Sequence, residues 1–179
     1  MTATLVKTKW TVDKIHSVAQ FKVKHLAIST VIGTFKTFSG ELSEQDDAFN
    51  GAEVNFIIDA NSVDTNHADR DRDLKSNTFL DVEKFPRIIF NGVLNLVEGD
   101  YKLKGDLTIK DITKAVALDV EFGGIGKGRF GDTRAGFEVD GKINRKDFGI
   151  TLNLLTEAGG LVVGEEVKLH FDIQLIKNA

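Results

Sequence analysis

Apolar and polar residues alternate with a period of two along most of the chain, from Ala19 to Ile176. Successive side chains of a β-strand point to opposite faces, so each alternating segment has one dry face and one wet face. This pattern is typical of antiparallel sheets and not of parallel sheets that are buried on both faces. It predicts strands at residues 8–13, 17–26, 30–42, 52–59, 87–97, 101–109, 115–123, 134–143, 148–156 and 165–176.

One stretch, Ser62–Phe85, lacks the alternation. Its central part, Ala68–Lys75, is strongly polar and predicts a short helix capped by Asn66, so that a helical segment lies near residues 66–80. The apolar residues that follow it are expected to plug one end of the sheet structure; they are Phe79, Leu80 and Phe85.

Many antiparallel strands in one domain must either pack as a sandwich or close into a barrel whose interior holds side chains or a ligand. The chain has 179 residues, and it shows no internal repeat, low-complexity tract or linker. A single all-β domain often reaches this length. We therefore expect one domain that spans residues 1–179.

The composition excludes several classes of chemistry. The chain has no cysteine, so disulfides, thiol catalysis and zinc–thiolate sites are ruled out. The first ten residues lack the apolar core of a signal peptide, and no segment approaches the ~20 apolar residues of a membrane-spanning helix. These features predict a cytoplasmic protein that is not an integral membrane protein.

The formal net charge is −4, and it is unevenly distributed. Residues 41–73 contain ten acidic residues and only two basic ones, Arg70 and Arg72. The simplest interpretation is a solvated surface; the alternative is a segment that docks a basic partner. No basic stripe with readout residues is visible, so binding of nucleic acid is not expected.

The four histidines do not form a recognisable site. His16 and His25 have opposite parity along one predicted strand, so they are not expected to bind the same metal ion. His67 lies in the helical stretch, and His170 lies on a wet strand face. We therefore predict no metal site, no cofactor and no catalytic residue.

Phenylalanine dominates the aromatic residues, with thirteen copies against one tyrosine and one tryptophan. Phenylalanine has no polar group, so it suits a dry wall in which nothing requires a hydrogen bond. A barrel core filled by its own side chains and a cavity for an apolar ligand would use the same residues. Composition alone favours the filled core, and the pattern does not separate the two.

Ordered motifs along nearly the whole chain resemble the YceI-like family of bacterial lipid-binding proteins. The matching segments are Trp10-x-x-Asp13-x-x-His16-Ser17-x-x-x-Phe21-x-x-x-His25, Gly33-x-Phe35, Ser62-Val63-x-Thr65, Arg70-Asp71-x-x-Leu74-x-Ser76, Phe79-Leu-Asp81, Lys84-Phe85-Pro86-x-x-x-Phe90, Gly105-Asp-Leu-Thr-Ile-Lys-Asp-Ile-Thr113 and Arg145-x-Asp147-Phe148-Gly149.

The resemblance implies an elongated, eight-stranded antiparallel barrel, similar to a lipocalin, with an apolar tunnel. It also implies a non-enzymatic carrier or sequestering protein for a long apolar lipid, a polyisoprenoid or an isoprenoid quinone, and a possible homodimer. The inward strand residues predicted to contact the lipid are Phe21, Val23, His25, Phe35, Phe56, Ile58, Phe90, Leu103, Phe137, Val139 and Phe171.

Four polar motif positions are candidates for the tunnel mouth: His16, Ser17, Arg70 and Asp71. An alternative role for Arg70 and Asp71 is to tether the polar helix to the rim of the barrel. Two other functions stay open. One is an enzyme that acts on an isoprenoid-type lipid, with His16, His25 and Asp71 as acid–base groups. The other is an interaction module with a packed barrel that uses its acidic segment, residues 41–73.

Overall fold

Antiparallel strands make up most of the computed structural model, which describes residues 6–45, 48–154 and 162–179. Within these residues there are eleven strands and one α-helix. In chain order they are β1 (Thr8–Val12), β2 (Val18–His25), β3 (Ser29–Phe35), β4 (Phe38–Glu44), β5 (Ala52–Asp59), β6 (Val63–Asp64), α1 (Ala68–Lys75), β7 (Arg87–Val97), β8 (Asp100–Ile109), β9 (Ile112–Lys127), β10 (Thr133–Asn144) and β11 (Val163–Lys177).

Eight of these strands form a closed ring in the order β1-β4-β5-β7-β8-β9-β10-β11. The ring closes where β11 pairs with β1, with Ile176 opposite Thr11. All neighbouring strands in the ring are antiparallel. The predicted all-β fold, an eight-stranded antiparallel barrel with one short helix, is confirmed.

The barrel is extended at one end because β11 is long enough to pair with two strands. Its last residues pair with β1, and the segment Val163–Asp172 pairs with β2. Strand β3 then pairs with β2, and β6 pairs with β3. A 3-10 turn at Lys14–His16 separates β1 from β2, and the predicted strand 30–42 is likewise divided, since Lys36 and Thr37 lie between β3 and β4.

The two ends of the barrel are built differently. At the first end, which we call the Trp10 end, the loop between β4 and β5 inserts Phe49 into the barrel with no exposed surface. The Phe49 ring contacts Trp10, Phe122 and Phe137 at centroid distances of 5.2–5.3 Å. At the second end, which we call the α1 end, α1 and residues 76–86 follow β6 and precede β7.

Two predictions about secondary structure were wrong. No strand covers residues 148–154: Arg145–Phe148 form a 3-10 turn, and Gly149 ends it with a left-handed φ of 75°, which interrupts an extended chain. Residues 155–156 of that predicted strand lie outside the described residues. The helix begins as expected but its cap is His67, whose Nδ1 accepts a hydrogen bond from the Arg70 backbone N–H at 3.2 Å.

No helix among the described residues is long and apolar enough to span a lipid bilayer.

Candidate functional site

Two apolar cavities lie one after the other inside the barrel. The first, of about 110 Å³, lies towards the Trp10 end, and the second, of about 140 Å³, lies towards the α1 end. An engineered protein cavity of roughly 150 Å³ lined by Leu, Ile and Phe stays dry and binds benzene. Each cavity in this barrel is therefore large enough for a small apolar group.

Only side chains separate the two cavities. Five residues from four strands border both of them: Ile58, Ile88, Leu107, Leu169 and Phe171. The Phe171 ring packs edge-on against Phe56 at a centroid distance of 5.7 Å. Because these five side chains border both cavities, movement of side chains at this boundary would connect the two.

Ten of the eleven residues that were predicted to contact lipid border these cavities. The first cavity is bordered by Phe56, Phe90, Leu103, Phe137 and Val139, and the second by Phe21, Val23 and Phe35. Ile58 and Phe171 border both. The alternation placed their side chains on the inner face because parity along a strand decides the face. That these residues contact a lipid stays a prediction.

His25 is the exception, because its side chain is exposed and borders neither cavity. It has the same parity as Phe21 and Val23, but it is the last residue of β2. The strand ends there in a turn, closed by a 3.2 Å hydrogen bond from the Ile28 N–H to the His25 carbonyl. The side chain therefore lies at the rim, beyond the inner wall.

Arg70 and Asp71 tether α1 to the barrel, and neither side chain borders a cavity. The Asp71 Oδ1 accepts hydrogen bonds from the N–H and hydroxyl of Thr65, at 2.8 and 2.5 Å. The Arg70 side chain donates to the Thr65 hydroxyl at 2.8 Å and to its carbonyl at 2.7 Å. Burial raises the pKa of Asp71, but the hydrogen bonds from Thr65 outweigh it and hold this pKa below its usual range.

His16 and Ser17 lie in the connection between β1 and β2 and border neither cavity. The His16 Nδ1 is 2.7 Å from Asp13 Oδ2, which also accepts a hydrogen bond from Arg134 at 2.5 Å. The hydrogen bond with His16, opposed by burial and assisted by Arg134, lowers the pKa of Asp13 to about 2. Ser17 Oγ accepts from the Gln174 N–H at 3.0 Å, so Ser17 fastens this connection to β11, whereas His16 is linked through Asp13 to Arg134 on β10.

A buried arginine that the alternation does not predict borders the second cavity. Arg145 is 4% exposed, and its guanidinium donates to the carbonyls of Gly164, Ile150 and Val163 and to the side chain of Asn153, at 2.8–3.2 Å. Burial lowers its pKa, against a smaller opposing effect of Glu165. Arg145 belongs to a motif that carries the family resemblance, but the alternation contains no signal for a buried cation.

Several cover residues at the α1 end also border the second cavity. Leu74, the one apolar residue in the second half of α1, lies there together with Phe79 and Leu80 from the following segment. Phe79 and Leu80 thus close this end of the barrel as predicted, whereas Phe85 does not border the cavity. No group of His, Cys, Asp and Glu residues in the described part of the chain is arranged to hold a metal ion.

Known proteins with similar sequences and folds include Protein YceI of Salmonella newport (strain SL254), which is 41% identical over 156 residues, 86% of this chain and 82% of the relative. The Campylobacter jejuni YCEI protein is 30% identical, with a TM-score of 0.71 over 88% of this chain and 91% of that protein. Two structures share the fold at lower identity.

The first of these two is BcnA of Burkholderia cenocepacia, which is 22% identical, with a TM-score of 0.78 over 91% of this chain and 98% of that one. The second is a polyisoprenoid binding domain from Saccharophagus degradans, 14% identical, with a TM-score of 0.67 over 94% of this chain and 98% of that one. The family model described as YceI-like domain matches residues 10–175. The chain therefore belongs to the YceI-like domain family.

Proposed function

We propose that this protein binds one long apolar lipid inside its barrel, as a carrier or sequestering protein, and that the lipid is a polyisoprenoid or an isoprenoid quinone. The observation that carries the proposal is the pair of adjoining apolar cavities along the barrel. Neither cavity alone has room for a long chain, whereas the two together, joined by movement of the side chains between them, form a narrow channel. A flexible chain fits such a channel better than a bulky ring system does.

The energetics favour a chain that fills both cavities. Each buried CH₂ group contributes about 0.8 kcal/mol, so one isoprene unit contributes a few kcal/mol before the cost of ordering the chain. The second cavity is bordered by only two polar residues, Gln20 and Arg145. Specificity then depends on chain length and on the few polar groups at the α1 end. The likeness to the S. degradans polyisoprenoid binding domain, at 14% identity, concerns the fold alone.

The two alternative functions receive less support from the arrangement of residues. His16 and His25, which an enzyme would use as acid–base groups, lie roughly 25 Å apart along extended β2 and border neither cavity. Carboxylates of the acidic segment 41–73 serve local structure: Asp59 and Asp71 accept backbone hydrogen bonds, and Glu44 is buried against Trp10. Residues 46–47 of this segment lie outside the described residues.

Native mass spectrometry of freshly purified protein, followed by solvent extraction and identification of the lipid, tests the proposal. We expect a stoichiometric adduct whose mass identifies an isoprenoid, and uptake of added geranylgeraniol by the extracted protein. Phe130→Trp, at an exposed position at the tip of the β9–β10 hairpin, serves as a control, and Phe171→Trp should reduce uptake of geranylgeraniol more than that of farnesol. An adduct-free protein that also takes up neither alcohol would contradict the proposal.

A further inference from the structure

The hairpin of β2 and β3 has one face towards the second cavity, and its outer face and tip expose large apolar side chains. Phe21, Val23 and Phe35 border the cavity. On the outside and at the tip, large apolar side chains are exposed: Ile28 is 82% exposed and Ile32 is 49% exposed. Exposed apolar residues that cluster beside a ligand cavity are a frequent sign of an interaction surface.

The same hairpin is basic in a chain that is acidic overall. The hairpin, residues 18–35, contains Lys22 and Lys24 and no acidic residue, and Lys14 and Lys36 flank it in sequence, although the net charge of the chain is −4. Lys14, Lys22 and Lys24 are exposed, and none of them has an ion-pair partner within the described part of the chain. Lys36 approaches Asp64 only to 3.9 Å.

A row of three lysines continues this basic surface across the barrel wall. Lys142 on β10 is directly opposite Lys168 on β11, and Lys168 is directly opposite Lys22 on β2. Directly opposite residues have Cβ atoms roughly 4.5–5.5 Å apart, and like charges at such positions destabilise a sheet. The acidic residues of β11 nearest this row reduce the repulsion between the lysines only slightly, because Glu166 is 3.9 Å from Lys142 and Glu165 pairs with Lys146 at 2.8 Å.

The acidic residues of the same wall lie further from the α1 end. Glu121, Glu138 and Asp172 occupy directly opposite positions on β9, β10 and β11, and Asp140 is opposite Asp119 one step nearer the lysine row. On this wall the lysine row therefore lies nearer the α1 end than the row formed by Glu121, Glu138 and Asp172. A local group of exposed positive charges of this kind favours contact with a negatively charged surface.

The turn at the tip of the hairpin presents apolar groups at an unusual backbone conformation. Leu26 and Ala27, in the three-residue connection between His25 and Ser29, have left-handed φ angles of 54° and 60°, a conformation in which glycine or asparagine is usual. Leu26 is 39% exposed and hydrogen bonds through its N–H to the Val162 carbonyl at 2.9 Å, which fixes the tip beside the start of β11. The tip therefore presents Leu26 and Ile28 next to the second cavity.

We infer that this surface, made of the hairpin tip and the lysines Lys22, Lys24 and Lys168, docks on an anionic phospholipid bilayer. Leu26 and Ile28 enter the interface, and the lysines contact the negatively charged headgroups, which is the arrangement of many peripheral proteins. The lysines favour an anionic surface because none of the three has an ion-pair partner among the described residues. Docking stands on these residues alone; its use, to pass lipid between bilayer and cavity without crossing water, rests on the proposed function.

Flotation with vesicles tests this inference. We expect the protein to bind vesicles of equimolar phosphatidylglycerol and phosphatidylcholine, to bind phosphatidylcholine vesicles far more weakly, and to lose binding as salt is raised. Each lysine replaced by glutamine at the membrane surface should weaken binding about fivefold, so Lys22→Gln with Lys168→Gln should weaken it roughly 25-fold. Ile28→Asp should also weaken it.

Matched controls separate this surface from general charge and apolarity. Lys9→Gln with Lys104→Gln removes two exposed lysines elsewhere, and Phe130→Asp changes a side chain that is 90% exposed at the β9–β10 tip. The inference would be overturned if the control variants weakened vesicle binding as much as the test variants, if the protein bound both vesicle types equally, or if it bound neither. So would sedimentation that shows a dimer which Ile28→Asp dissociates, because a second copy would then cover the hairpin.

The cavity and the docking surface are tested separately. Ile28→Asp should retain uptake of geranylgeraniol in native mass spectrometry, since Ile28 borders neither cavity. If the unaltered protein takes up geranylgeraniol but does not bind vesicles, the docking inference alone is overturned. Vesicle binding without uptake would overturn the cavity proposal alone.

Discussion

Filling the first cavity should stabilise the lipid-free protein and weaken lipid binding at the same time. Val139, on β10, is 9% exposed and borders this cavity. A cavity of about 110 Å³ costs at most about 2.6 kcal/mol at ~24 cal/mol per Å³. The phenyl ring of Val139→Phe fills only part of this volume, and some strain offsets the gain. We expect the free energy of unfolding to rise by about 1 kcal/mol.

The same ring occupies space that the lipid chain is proposed to use. If it displaces one isoprene unit, the loss of buried CH₂ groups amounts to about 3–4 kcal/mol before ordering costs are subtracted. Affinity for geranylgeraniol should therefore fall by about tenfold or more. Farnesol is one isoprene unit shorter and needs less of the first cavity, so its affinity should fall less.

Urea unfolding of extracted protein and titration by native mass spectrometry measure the two effects. Val97→Phe is the matched control, because Val97 is 47% exposed and borders neither cavity. A Val139→Phe protein that is less stable yet binds geranylgeraniol normally would refute the reasoning. Lower stability would mean that the lipid-free protein has no empty first cavity to fill, and normal binding would mean that the lipid does not occupy that cavity.

Three further predictions concern the polar groups that hold the barrel wall. Asp13→Asn should lower the free energy of unfolding at neutral pH by about 2 kcal/mol, because folding depresses the pKa of Asp13 from 3.8 to about 2. The wild type should lose this stability as the pH falls from about 4 to about 2. The variant should show no such loss when urea unfolding is measured across the same pH range. Arg145→Met leaves buried carbonyls unpaired and should cost about 3 kcal/mol, with faster hydrogen exchange at residues 150–154 and 162–164; unchanged exchange there would contradict the role of Arg145. Asp71→Asn should speed hydrogen exchange in α1 and the release of geranylgeraniol, whereas Asp73→Asn, at an exposed position of the same helix, should do neither.

The period-two pattern predicted which residues face the barrel interior because parity is a local property of a strand. Phe56 and Phe171, on strands far apart in the sequence, were both placed inside and both border the first cavity. The pattern did not predict whether the interior is filled. That depends on how far side chains from opposite walls reach towards each other, and on loop residues such as Phe49, which fills the Trp10 end without belonging to any strand.

The polar positions were harder to assign because their roles depend on contacts between distant segments. Arg70 and Asp71 both hydrogen bond to Thr65, five and six residues away. Of the two roles considered for them, tunnel mouth and tether, these contacts correspond to the tether. His16 binds Asp13, and that carboxylate also binds Arg134, 121 residues further along the chain. No local pattern indicates such a partner.

The difference between the two ends of the barrel indicates where a lipid would enter. The Trp10 end is closed by aromatic rings without solvent contact, and displacement of a buried ring of this kind costs several kcal/mol. The α1 end is closed by Leu74, Phe79 and Leu80, whose side chains are only partly buried, and by a helix that hydrogen bonds to Thr65. Each such hydrogen bond contributes only about 1 kcal/mol because water replaces it on opening. Opening is therefore cheaper at the α1 end, which is also where the second cavity and the basic hairpin lie. A chain that enters there meets the second cavity first and reaches the first cavity only when side chains that border both cavities, Phe171 among them, move aside.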